Sequence, residues 1–104
     1  MNEQEIELRT RVLLSTYRAL LGRISPNMRE IMIDWGEDFY KIKAYFDRPT
    51  TEGDWELLSD ISGEVAADFP KMNKIEEDIE YLTKPALELC PLREVVFMRL
   101  GELN

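Results

Sequence analysis

Five carboxylates stand four residues apart in one stretch of the chain: Glu52, Glu56, Asp60, Glu64 and Asp68. Groups of this kind can meet a cationic partner, hold a hard metal ion, or work as acid and base. No Lys, Arg or His lies between Thr51 and Asp68. On an α-helix a spacing of four stacks side chains along one face with a slow drift, and this row would run ~24 Å. Like charges so spaced repel by about 0.2–0.5 kcal/mol per neighbouring pair. Such a row is either a solvated face or a surface whose repulsion a cationic partner relieves. Glu76, Asp78 and Glu80 recur at every second position, the spacing that puts side chains on one face of a strand. If that strand lies near residues 39–46, Lys41 and Lys43 sit across from the row and make it structural. The row on the helix has no such local cations, so it is the stronger candidate.

The rest of the chemical repertoire is thin. The chain has no histidine, which removes the commonest general acid–base group and the commonest metal ligand at neutral pH. Its single cysteine, Cys90, cannot build a thiolate zinc site. No glycine-rich phosphate loop or Gly-x-Ser-x-Gly elbow is present. Asp34 with Glu37 and Asp38, or Glu76 with Asp78, are the available carboxylate clusters. The second lacks the glycine a calcium loop requires, and Ile79 and Tyr81 interrupt it. The expectation is a binding protein without metal, cofactor or catalytic residues. Aromatic anchors would strengthen a binding face. Trp35, beside Gly36, reads either as core or as such an anchor, and it joins the candidate contacts with Asp78 and Glu80. Tyr45 reads as exposed, and Trp55 as core.

These residues need elements to hold them. Residues 3–22 read as a helix with Ile6, Val12 or Leu13, Tyr17, Leu20 and Leu21 recurring at three- and four-residue steps. Residues 29–35 and 39–46 alternate around Gly36-Glu37-Asp38, the pattern of a β-hairpin. A second helix starts at Thr50 or Thr51, where Thr51 and Asp54 have capping-box spacing, and closes at Asp68-Phe69-Pro70. Its apolar stripe reads Trp55, Leu58, Ile61 or Ser62, Val65 and Phe69. Residues 75–82 and 94–100 are strands, with an irregular connection from Lys84 to Pro91. The order α-β-β-α-β-β predicts an α+β sandwich. Two helices would pack on one face of an antiparallel sheet of about four strands.

The 104 residues suit one domain, residues 1–104. The net charge of −8 is unevenly spread. Residues 1–50 hold eight acids and eight bases, whereas residues 51–104 hold thirteen acids and five bases. The polarised surface this predicts repels nucleic acid and anionic membrane and attracts basic proteins. Cys90 follows an apolar run and reads as a small buried side chain, with no disulfide to suggest an oxidising compartment. The acidic start Met1-Asn2-Glu3 is unlike a secretory signal, and no stretch approaches a membrane span. A cytoplasmic location is expected.

The stretch Tyr45-Phe46-Asp47-Arg48-Pro49-Thr50-Thr51-Glu52-Gly53-Asp54-Trp55-Glu56-Leu57 and its continuation Ser62-Gly63-Glu64-Val65-Ala66-Ala67-Asp68-Phe69-Pro70 resemble small immunity proteins. These belong to bacterial polymorphic toxin and contact-dependent growth inhibition systems. Gly53 stands where that pattern has a second acid, and the Val95–Arg99 strand is also in keeping. The resemblance implies a non-enzymatic protein that binds one cognate toxin domain in the producing cell's cytosol, commonly a basic nuclease. An acidic row can occupy or flank the positive groove with which a nuclease holds phosphates. A nucleic-acid mimic that inhibits a DNA-binding enzyme is the alternative, though the neutral first half argues against it. An enzyme or metal-binding domain working through carboxylates alone is a third reading.

Overall fold

A computed structural model describes residues 1–83 and 92–102. The connection read over Lys84–Pro91, with Cys90, lies outside them. The first helix, α1 (Glu3–Leu20), begins where the Asn2 side chain accepts the Glu5 amide at 2.8 Å. Glu3 and Glu5 in its first turn and Arg18 in its last complement the helix dipole. Gly22 follows at φ +76°, a left-handed conformation that favours glycine. Strands β1 (Met28–Trp35) and β2 (Phe39–Phe46) form the hairpin. The Gly36 amide donates to the Phe39 carbonyl at 3.1 Å. A Cβ on Gly36 would sit 2.5 Å from the Phe39 ring, so the turn needs glycine.

Helix α2 (Glu52–Asp68) starts with the predicted capping box. Thr51 accepts from the Asp54 amide at 3.3 Å, and Asp54 accepts from the Thr51 amide at 2.9 Å. Strands β3 (Lys74–Tyr81) and β4 (Glu94–Met98) complete a four-stranded sheet of order β3-β2-β1-β4. The element order is the predicted one, and the fold is α+β. The sheet is not purely antiparallel, however, because β2 and β3 run parallel, with Lys41 opposite Glu76 and Lys43 opposite Asp78. A parallel pair needs a crossover of a dozen or more residues, and α2 with its flanking turns supplies it. Alternation along a strand says which face a residue takes but nothing of strand direction.

One face of the sheet presents Ile31, Ile33, Trp35, Tyr40, Ile42, Ala44, Phe46 and Ile79 to the helices. Val12, Ala19 and Leu20 of α1, and Leu58, Ile61 and Val65 of α2, close over it. The Thr16 and Tyr40 hydroxyls bond across the layers at 2.9 Å, and burial pushes the Tyr40 phenol up to about 12. Two helix readings are corrected. The buried side of α1 is Val12, Ser15, Thr16, Ala19 and Leu20, so Ile6, Tyr17 and Leu21 face solvent. Ser15 faces α2, where it donates to Asp68, and Thr16 faces the sheet, where it meets Tyr40, with the small Ala19 buried one turn on. On α2, Asp54 takes the inward position and Trp55 is 40% exposed. The capping box and a two-pronged Arg48 contact, at 2.7 and 3.0 Å, hold Asp54 inside and turn Trp55 to the flank.

Candidate functional site

Helix α2 carries the acidic row, and all five of its carboxylates are on exposed residues. At about 100° per residue, each four-residue step drifts about 40° around the axis. The row therefore starts on the side of α2 nearer β3 and ends on the side nearer α1. The far end is not free. Glu64 pairs with Arg23 at 2.7 Å, and Asp68 accepts from Ser15 at 2.6 Å with Arg18 at 3.8 Å. The hydrogen bond to Glu64 raises the Arg23 pKa, and the nearby Asp60 charge adds to it. The row thus does have cations, supplied by Arg18 of α1 and by Arg23 in the loop just after it. Glu64 and Asp68 tie the two helices together. Glu52, Glu56 and Asp60 make no ion pair with any described residue.

The strand row is structural, in the way its spacing allowed. Lys41 meets Glu76 at 3.3 Å, and Lys43 meets Asp78 at 3.2 Å and Glu80 at 3.5 Å. Burial works against the charge on Lys43, but its hydrogen bond to Asp78 and the adjacent Tyr45 hydroxyl outweigh that and raise its pKa. Tyr45 itself is only 3% exposed, not presented as expected, with the Lys43 ammonium 5.1 Å from its ring centre. Asp78 and Glu80 are thus already engaged within the sheet.

Trp35 is buried, at 2% exposure, so it is no surface anchor. The Arg93 guanidinium stacks 4.2 Å from its ring centre and donates to its carbonyl at 3.0 Å. The exposed tryptophan is Trp55. The signal for this exchange was in the capping box, since fixing Asp54 inward displaces its neighbour.

Sequence reasoning also missed a charged knot at the end of the hairpin. Arg29, buried in β1, contacts Glu102 at 2.6 Å and donates to the Leu82 carbonyl at 2.7 Å. Arg99 joins Glu102 at 3.0 Å and Asp47 at 2.6 Å, and holds the Asp47 carboxyl below the usual range. Except for the Arg99–Glu102 pair, three positions apart, these contacts span more than fifty positions, a distance no local pattern reports. Next to them Glu30 is buried with one carboxylate oxygen unpartnered, and that burial raises its pKa. Among the described residues no three His, Cys, Asp or Glu side chains are grouped to hold a metal ion. No helix among them is long and apolar enough to cross a membrane.

What the fold and surface define is an acidic α+β sandwich, with paired carboxylates on the sheet and, on the first half of α2, carboxylates that no described residue pairs. The chain belongs to the MafI2 immunity protein family, whose model matches residues 9–100. It is thus an immunity protein of a toxin system, with a cognate toxin as its partner. The fold is similar to a solved structure described as MamM CTD in a copper form. The two are 11% identical, over 89% of this chain and 100% of that one, with a TM-score of 0.50. At that identity the likeness is one of fold alone. No curated protein matches the sequence.

Proposed function

We propose that this protein binds and neutralises one cognate toxin domain of a contact-dependent or polymorphic toxin system, and that this toxin is a basic nuclease. It does so in the cytosol of the producing cell, as a stoichiometric inhibitor and not as an enzyme, with no metal or cofactor. Membership of the immunity family carries the reading. The charge pattern supports the basic partner: Glu52 and Glu56 line an exposed helix face without an ion pair to any described residue, and Asp60 beside them is near Arg23 but not ion-paired with it. A nuclease that holds phosphates must present positive charge, and electrostatic attraction speeds its capture.

The test uses the immobilised chain to capture its partner from nuclease-treated lysate of the producing cell. The retained protein is then assayed for cleavage of RNA and DNA. The expected result is one basic domain that degrades nucleic acid and is silenced by about one equivalent of this protein. A partner without nuclease activity, or one that cleaves equally well in the complex, would contradict the proposal.

A further inference from the structure

The first half of α2 and the outer edge of β3 form a face that no described element covers. Glu52, Trp55 and Ser59 fall at three- and four-residue steps and share one side of the helix. Ser59 and Ser62 both donate to the Glu77 carboxylate, Ser59 at 2.9 Å, which fixes that side of α2 over β3. Because α2 joins the end of β2 to the start of the parallel β3, it runs back against β3. Its first turns therefore lie toward the end of β3, where Tyr81 sits four residues beyond Glu77 on the same face. Tyr81 is 47% exposed and Trp55 40%. Large aromatics half in water beside charge are the residue types that anchor protein interfaces. Glu52 and Glu56 stand beside Trp55 on the helix, and neither pairs with a described residue.

Resting on the function proposed above, we infer that Trp55 and Tyr81, flanked by Glu52 and Glu56, are where a cationic segment of the toxin docks. Charge complementarity selects that occupant. Arg or Lys side chains can lay their stems or guanidinium planes on the aromatic rings while their charges reach the two carboxylates. A second copy of this chain is disfavoured on the same ground. It would bring Glu52 and Glu56 of one copy against the same acids of the other. The face is distinct from the α1 side of the row, where Arg18 and Arg23 already occupy Asp68 and Glu64.

The experiment measures the Kd of the captured toxin domain for the wild type, Trp55→Ala, the double variant Glu52→Lys/Glu56→Lys, and Leu21→Ser on the exposed side of α1. Trp55→Ala is expected to weaken binding by tenfold or more, on the order of a hot spot. The double variant, which changes only exposed positions and so keeps its fold, is expected to weaken it further, and Leu21→Ser to leave it unchanged. A Trp35→Phe variant isolates the Trp55 fluorescence, which shifts to the blue as the toxin covers the ring. Binding unchanged in both α2 variants, with no shift, would overturn the docking face while leaving the immunity function standing. Loss confined to Leu21→Ser would move the site to α1. A wild-type chain that neutralises no toxin would overturn the function and this inference together.

Discussion

Asp54 shows how one side chain sets several features at once. It closes the capping box with Thr51, receives both prongs of Arg48, and fills an inward position that periodicity assigns to Trp55. The Arg48 hydrogen bonds hold its carboxyl below the usual range, against the opposing effect of burial. A carboxylate with a depressed pKa adds stability above its unfolded value of about 3.9, and that stability is lost as pH falls through the folded value. Asp54→Ala is expected to cost about 2–3 kcal/mol at neutral pH, from two charge-assisted hydrogen bonds and the cap. Asp54→Asn should flatten the acid limb of a plot of melting temperature against pH below about 4. A melting temperature that changes equally at neutral and at acid pH would contradict that assignment. Thr51 and Asp54 were legible as a cap because the motif is local. Trp55 was misplaced because its position is decided by a side chain next door rather than by its own hydrophobicity.

At the scale of elements, all six were legible, since alternation and helical spacing are properties of short windows. The correspondence reaches the hairpin ends, where Gly36 and the Asp47–Pro49 turn mark the limits of β2. Strand direction was not legible, because β3 alternates identically whether it runs with β2 or against it. The packed side of α1 was legible only in part: Val12 and Leu20 are buried as read, but the large Leu14 and Tyr17, and the C-cap Leu21, face water, while Ser15, Thr16 and Ala19 are buried. The acidic row was visible as a row, but Arg18 and Arg23 lie far from it in the chain and near it only across the helix pair. Close helix packing predicts that Ala19→Leu overfills the interface and destabilises the fold by about 1–3 kcal/mol. At about 4–8 °C per kcal/mol for a domain of this size, that corresponds to a drop in melting temperature of roughly 4–24 °C. An unchanged melting temperature would mean that α1 and α2 have room between them.

For the whole molecule, the division of charge is the property that matters most. The net charge of −8 arises entirely in residues 51–104. The fold then sorts those acids into two kinds. Glu76, Asp78 and Glu80 of β3 are paired with lysines of β2, and Glu64 and Asp68 with Arg23, just beyond α1, and Arg18 of α1. Glu52, Glu56 and Asp60 remain on the outer face of α2 without an ion pair to any described residue, where the proposed function has them meet the toxin. Paired charges within one molecule contribute little to its long-range field, whereas unpaired ones steer an approaching cation. The measurement that tests this most directly is the rate constant for association with the toxin domain, followed from about 0.02 to about 0.5 M salt. The account predicts a wild-type rate that falls by tenfold or more across that range, and a Glu52→Lys/Glu56→Lys variant that is slow and nearly independent of salt. A wild-type rate indifferent to salt, or a variant as fast as wild type, would contradict the central claim that these carboxylates draw in a basic toxin.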